Sequence, residues 1–249
     1  MISRYELLNT LNELLKPDQI KDYCPNGLQI EGNTNITRIA TAVSATGSVI
    51  EQAIAQQAQA LLVHHGFFWK GEPSTITGIK RQRIASLLKH NINLYAYHLP
   101  LDVHPTLGNN AQLAQKLGWQ LAGTFGDNNL IAYVDFDQPI TLNQLQMHLF
   151  KVLERDPFLI GSVVDSIRRV AFCTGAAQDF LEIAAEQGAQ VYISGEISER
   201  TVALARELGI VYVCAGHYAT EQFGVQAVGR WLRENHQLDV FFIDDDNPV

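Results

Sequence analysis

Positive charge is scarce in this chain. Its 249 residues hold 18 lysines and arginines against 26 aspartates and glutamates, for a formal net charge of −8. A DNA- or RNA-binding surface shows itself as a basic stripe; none is visible, so no nucleic-acid footprint is expected. Cysteine is scarcer. Cys24, Cys173 and Cys214 are odd in number and far apart, which excludes a disulfide framework and a CxxC metal motif. No apolar stretch approaches the roughly 20 residues that span a bilayer, so no membrane association is expected. Low-complexity tracts are absent, and nothing reads as disordered. The opening stretch MISRYELLNTLNELL spaces its apolar residues like one helix face, and no small-residue cleavage site follows it, unlike a signal peptide. Together these absences predict a cytoplasmic protein.

What is present is ordinary globular material. Apolar residues make up 47% and charged residues 18%, enough for a sizeable core. Cys173 and Cys214 lie in apolar runs and read as small buried hydrophobes, whereas Cys24 precedes a Pro25-Asn26-Gly27 turn and is a candidate for exposure. The run Asp244-Asp245-Asp246 reads as a solvated acidic tail.

Short buried strands alternate with helices, the signature of an α/β fold. Strands are predicted at 38–43, 60–63 and 94–97, with helices over 46–58 and 80–90. The order recurs: strands at 169–173, 189–193 and 210–214, with helices over 178–187 and 199–208. RIATAVSATGSVIEQAIAQQAQALLVHHG lies well beside RVAFCTGAAQDFLEIAAEQGAQVYISGE. Arg38 to His64 is 26 positions and Arg169 to Ser194 is 25, and both copies follow a strand with a four-residue step, His98 to Asp102 and His217 to Glu221. The pattern favours an internal duplication over the general likeness of α/β units. Residues 125–165 lie between the copies and read as an insertion, with a strand over 130–136 and Thr141 capping a helix over 142–154.

In open α/β sheets, chemistry sits in the loops at the carboxyl ends of the strands. Five candidate metal ligands fall there: His64 and His65 at one strand end, Asp102 in HLPLDVHP, and His217 and Glu221 in AGHYATE. Imidazole with carboxylate is a ligand set for Zn, Fe, Mn or Co, while Mg and Ca prefer all-oxygen shells. Adjacent histidines point to opposite sides of an extended chain, so each can serve a different ion. Three histidines and two carboxylates suit two divalent ions, which at about 3.5–4 Å separation polarise a substrate oxygen and generate hydroxide near neutral pH. Each histidine alone is weak evidence; joint placement at strand ends carries the reading. His98 is a candidate sixth ligand or an orienting residue, and His104 a candidate acid or base. His90, His148 and His236 read as surface residues. The Tyr23–Gln29 stretch reads as a tight turn. Phe67, Phe68 and Trp69 are candidates to stack on a flat base, with Lys70 meeting a phosphate; packing against a neighbouring subunit explains them equally well.

The stretches DYCPNGLQIEG (22–32), LLVHHGFFWKG (61–71), YAYHLPLDVHPTLGNN (95–110), ISGEISE (193–199) and AGHYATE (215–221) extend across nearly the whole chain. In combination they resemble the GTP cyclohydrolase I type 2 homologues, the Nif3-like or YbgI-like dinuclear metal centre proteins. The resemblance implies a Nif3-like α/β fold of two similar, intertwined three-layer α/β/α lobes, with the metals in the cleft between them. On this sequence those lobes are expected at 1–124 with 210–249 and at 125–209. It also implies metal ligands at His64, His65, Asp102, His217 and Glu221, and a toroidal homohexamer built as a trimer of dimers. The family name implies hydrolytic opening of the guanine ring of GTP; on a hydrolase reading, with GTP or a related nucleotide as substrate, metal-bound hydroxide would attack C8 and His98 or His104 would shuttle protons. A non-catalytic metal-binding or interaction protein, a two-metal phosphoesterase and an iron-dependent oxidase are the alternatives. Five protein ligands over two ions leave both under-filled, which favours chemistry over a structural site. Whether Fe, Zn or Mn is bound does not follow from the ligands.

Overall fold

The computed structural model describes residues 1–161, 164 and 166–249. It divides into two compact units, Met1–Leu107 with Gly224–Asp246, and Gly108–Phe223 with Asn247–Val249. Elements are numbered in chain order.

The first unit opens with β1 (Ile2–Ser3), paired antiparallel with β3 (Asn35–Ile36). Helix α1 (Arg4–Leu15) starts at Ser3 because the Ser3 hydroxyl accepts the Glu6 amide and the Glu6 carboxylate accepts the Ser3 amide, a reciprocal cap. β2 (Gly27–Ile30), β4 (Arg38–Ser44), α2 (Gly47–Ala55), β5 (Ala60–His65), α3 (Gly78–Lys89), β6 (Asn93–Ala96) and the short α4 (Leu99–Asp102) follow. The chain returns with α9 (His217–His236), which joins this unit from Gly224, and with β13 (Asp239–Phe242). Among the described residues these strands form a five-stranded sheet ordered β13-β4-β5-β6-β2, parallel except for β2.

Strand alternation divides the two faces. Ala40, Ala42, Leu61, Val63, Leu94 and Ala96 pack with Val49, Ile50 and Ala53 of α2 and with Ile84 and Leu87 of α3. Burying each valine, leucine or isoleucine among them contributes about 1.5–3 kcal/mol before the entropy cost of ordering it, and each alanine less. On the opposite face the Tyr95 hydroxyl donates to the Arg4 carbonyl at 2.7 Å and the Tyr97 hydroxyl to Asn12 Oδ1 at 2.6 Å, which ties down α1. Gly229 of α9 passes that face so closely that a Cβ would stand 3.2 Å from Thr41 Cγ2. Helices therefore cover both faces, and the unit has three layers.

The second unit holds α5 (Asn109–Leu117), β7 (Gly123–Phe125), β8 (Ile131–Ile140), α6 (Leu142–Leu153), β9 (Phe158–Ile160), β10 (Ile167–Phe172), α7 (Leu181–Glu186), β11 (Val191–Ser194), α8 (Glu199–Leu208), β12 (Val211–Cys214) and the first residues of α9. Its described strands form a six-stranded sheet ordered β7-β8-β10-β11-β12-β9, with β10, β11 and β12 parallel. Val170, Phe172, Val191, Ile193, Val211 and Val213 pack with Leu113 and Leu117 of α5 and with Leu145, Leu149 and Leu153 of α6. Tyr192 and Tyr212, their centroids 5.9 Å apart, occupy the other face, where α7 and α8 lie over β11 and β12.

The duplication is visible in the ladders. β4, β5 and β6 with α2 and α3 match β10, β11 and β12 with α7 and α8, each set ending in an antiparallel neighbour, β2 or β9. Ile39 pairs with Ala60 as Val170 pairs with Val191. Gln59 Oε1 accepts the Thr37 and Arg38 amides; Gln190 Oε1 accepts the Arg168 and Arg169 amides, each glutamine standing 21 positions after its arginine. The ladder register makes Glu196, not Ser194, the counterpart of the strand-end histidines, by matching it to His65.

These units depart from the expected lobe bounds of 1–124 with 210–249 and 125–209. Residues 211–214 hydrogen-bond to β11 and so lie in the second sheet, and α5 packs its leucines on that sheet too. The expected 125–165 insertion is not set apart: β8 pairs with β10, so the segment extends the second sheet. Ser162, Val163 and Asp165 of that segment lie outside the described residues. Helix α2 ends at Ala55, short of the expected 58, because Gln57 takes a positive φ of 57°. The helix over 178–187 opens as a 3-10 turn at Gln178–Phe180.

Candidate metal centre

In the first unit, β5 delivers His64 and His65 and β6 leads into His98 and α4. His64 is fully buried. Its Nδ1–H donates to the Tyr97 carbonyl at 3.0 Å, and its Nε2 lies 3.4 Å from Asp102 Oδ1. His65 Nδ1 stands 3.0 Å from the Ser44 hydroxyl, the residue its strand neighbour places beside it. His98 Nδ1–H donates to Asp22 Oδ1 at 3.0 Å. The rings of His64 and His65 lie 4.5 Å apart and those of His64 and His98 5.1 Å, and ligand atoms of all three histidines lie within 4.8 Å of one another.

Asp22 also accepts the Leu99 amide at 2.9 Å and the Asn26 side-chain amide at 3.0 Å, while Asn26 Oδ1 accepts the His98 amide. Burial raises the Asp22 pKa, but the hydrogen bonds and charge of its neighbours, His98 first, outweigh that and hold the carboxyl well below the usual range. Cys24 is half-buried rather than exposed. Burial, then the Asp22 charge, push its thiol up to about 12, so it is no thiolate at neutral pH. The segment after β5 is stitched to the 22–29 turn: the Gln29 amide accepts from and donates to the Phe67 backbone at 2.7 and 3.1 Å, and the Lys70 amide donates to the Tyr23 carbonyl.

The three aromatics after the histidine pair separate. Phe67 is core. Phe68 packs edge-on against it, with the Lys80 ammonium 5.1 Å from the Phe68 ring. Trp69 lies beside His98 and His65 at centroid distances of 4.9 and 5.8 Å, and Tyr23 lies 5.0 Å from His98.

His104 lies apart from this cluster. Its Nδ1 accepts the Thr106 and Leu107 amides at 3.3 and 3.0 Å, so it organises the loop before α5. Burial lowers its pKa, which favours the neutral ring such an acceptor needs. Of the three histidines read as surface residues, His90 and His148 are exposed, while His236 is half-buried with its ring 5.2 Å from Trp231.

In the second unit, α9 begins at His217, and its 3.6-residue turn puts Glu221 on the same face. His217 Nε2 lies 3.0 Å from Glu221 Oε2, and its Nδ1–H donates to Glu196 Oε1 at 2.7 Å. Glu221 is buried. Burial disfavours the charged ring of His217, but the Glu221 hydrogen bond and charge, then those of Glu196, raise it to about 9. Two carboxylates converging on one imidazole call for a cation there, a proton or a metal. Gly175 makes the room: it sits at φ +72°, and a Cβ there would collide with Glu221 Oε1. Its amide donates to Thr220 Oγ1, and its carbonyl accepts the Gly195 amide and the Ser194 hydroxyl.

Each unit thus carries a histidine paired with a buried carboxylate, the histidine anchored through Nδ1, leaving Nε2 on the carboxylate side. That donor set suits Zn, Fe or Mn, and the anchoring of Nδ1 is how ligating histidines are oriented. Reading the sequence for ligands missed Asp22, Ser44 and Glu196. The available signals were the DYCPNG and ISGE motifs and the strand-end position of Glu196.

The sequence model of the family described as Duf34/NIF3 (NGG1p interacting factor 3) matches residues 2–248. A Vibrio cholerae protein named GTP cyclohydrolase 1 type 2 homolog is 51% identical over 252 residues, with 100% of both chains covered. A Neisseria meningitidis protein of the same name is 48% identical over 249 residues, again with 100% of both covered. The solved structure of protein ybgI, a protein of unknown function, superposes with a TM-score of 0.96 at 43% identity and full coverage of both chains. A solved structure from Thermus thermophilus, that of TTHA1606, gives 0.91 at 30% identity, also with full coverage. The chain belongs to the Duf34/NIF3 family.

Proposed function

We propose that this chain binds two divalent metal ions through His64, His65 and Asp102 of the first unit and His217 and Glu221 of the second, and that it is a metal-dependent hydrolase. The observation that carries the reading is the matched pair: His64 Nε2 at 3.4 Å from Asp102 and His217 Nε2 at 3.0 Å from Glu221, each ring held from behind through Nδ1. A bound pair of ions would supply Lewis acidity and lower the pKa of water. The chain's own residues do the rest. Buried Asp102 and Glu221 give a negative site. His98, held by Asp22, is the proton-shuttling candidate, since the one lone pair of His104 Nδ1 is already shared by two backbone amides. Trp69 and Tyr23 present ring surface beside His98, suited to a planar base.

The name borne by the relatives suggests GTP or a related nucleotide as substrate, with purine ring opening as the reaction. The same resemblance suggests a toroidal homohexamer, a trimer of dimers, located in the cytoplasm. The site's protein ligands, five over two ions, favour open catalytic positions over a closed structural site.

The test is metal content of protein purified without chelator, measured beside His64→Ala and Glu221→Ala. About two ions per chain in the wild type, falling sharply in both variants, is the expected result, as two ions over these five ligands require. Formate release from GTP then identifies ring opening, and phosphate release would instead identify a phosphoesterase. A wild-type chain that stays metal-free on addition of Fe, Mn or Zn sinks the proposal.

A further inference from the structure

The strand-end residue Glu196 is a carboxylate beside the candidate ligands that the metal reading does not count as a ligand. It follows β11, whose register matches Ala60 of β5 to Val191, and so it occupies in the second copy the place that His65 occupies in the first. Its Oε1 accepts the His217 Nδ1–H at 2.7 Å. The other ring nitrogen, Nε2, lies 3.0 Å from Glu221. The two nitrogens of an imidazole point away from each other, so a carboxylate seated on Nδ1 faces away from whatever Nε2 binds. Glu196 is itself held: its carbonyl accepts the Tyr212 hydroxyl, and the Gly195 before it is pinned by donating its amide to the Gly175 carbonyl at 2.7 Å. A Cβ at Gly195 would stand 2.6 Å from the His217 Cα, so the segment carrying Glu196 approaches the start of α9 as closely as a backbone allows.

We infer that Glu196 is a positioning residue: it fixes the tautomer and tilt of His217 so that Nε2 is presented beside Glu221 to a divalent cation. In the duplicated fold, the strand end that supplies a ligand in the first copy supplies, in the second, the group that orients one. This rests on the metal reading above. Its chemistry is that of a carboxylate–histidine–metal relay, in which loss of the outer carboxylate typically lowers metal affinity about 10–100-fold.

The experiment uses the full chain with Mn and Zn as probes. Affinities are measured by chelator competition for wild type, Glu196→Ala and Glu196→Gln, and the ring N–H proton of His217 is followed by NMR in the metal-free protein. Glu196→Ala should weaken binding by about 10–100-fold and lose the hydrogen-bonded Nδ1 proton resonance. Glu196→Gln, whose amide oxygen still accepts the N–H, should recover most of both, a rescue that a merely packed side chain would not give. Thermal unfolding of the three metal-free proteins reports whether the fold is intact. Equal affinities in all three overturn this inference alone. A wild type that takes up no metal overturns the metal reading together with it.

Discussion

At the residue scale, the second unit's histidine–carboxylate pair depends on the absence of a side chain. Gly175 lies in the left-handed region and its missing Cβ is where Glu221 Oε1 passes. Gly175→Ala should cost about 2 kcal/mol from backbone strain and collision. It should also push Glu221 off His217. Chelator competition with Mn should show weakened binding, and an alanine variant with wild-type affinity would remove Gly175 from the site. The paired glutamines Gln59 and Gln190 make a second residue-level case. Each side-chain oxygen satisfies two backbone amides at the entrance of a strand, and truncation to alanine leaves those amides to water or to nothing. Gln59→Ala and Gln190→Ala should each cost about 1–3 kcal/mol in denaturant unfolding. A neutral result at either would mean that water replaces the amide oxygen there without loss.

At the element scale, helix starts are set by local chemistry. Thr141 accepts the Gln144 amide, and the Gln144 side chain accepts the Thr141 amide in return, so α6 begins at Leu142 as its sequence predicts. Thr141→Ala should lower stability by about 1 kcal/mol, read as a fall in the unfolding midpoint at unchanged slope. The pairing of β8 with β10 carries the Asp135–Arg169 ion pair, bidentate at 2.7 Å on both arms. The hydrogen bond from Arg169 lowers the Asp135 pKa. A carboxyl whose folded pKa is depressed adds stability above its unfolded pKa and loses it as pH falls through the folded value. Both partners are substantially exposed, so the effect is small and salt-sensitive. Asp135→Asn should flatten the acid limb of the stability curve below about pH 4 and leave neutral pH nearly unchanged; a large loss at pH 7 would contradict this.

At the scale of the whole molecule, if the histidine–carboxylate pair of each unit holds an ion as proposed, metal binding is coupled to the folded state of that unit. Ions at about 100 times their Kd should add about 2.7 kcal/mol per site to stability. Adding chelator should therefore lower the melting temperature of the wild type, and hardly move that of Glu221→Ala. If chelator leaves the wild type unchanged, the ions do not stabilise the fold. Light scattering of the purified chain tests the homohexamer, and a monomer mass would refute it. Among the described residues, no helix is long and apolar enough to cross a membrane.

Much was legible from the order of residues. Strand and helix periods follow from side-chain geometry, so the alternation, the repeated half, the capped α6 and the strand-end positions of His64, His65 and His217 could be read directly. Short β2, β9 and β13 escaped notice because three or four residues carry too little period to tell from a turn, and they exist through pairing with neighbours. The two units take the bounds they do because β12 bonds to β11 across a helix, a long-range contact that no local pattern encodes. The sequence alone therefore determined the fold class and the family, and it supplied the candidate ligands. Only the tertiary structure decided that Asp22, Ser44, Glu196 and the Tyr97 carbonyl hold the histidines from behind. Those partners are brought in from distant positions by sheet register and helix placement, and an imidazole's orientation is set by what its second nitrogen meets in space.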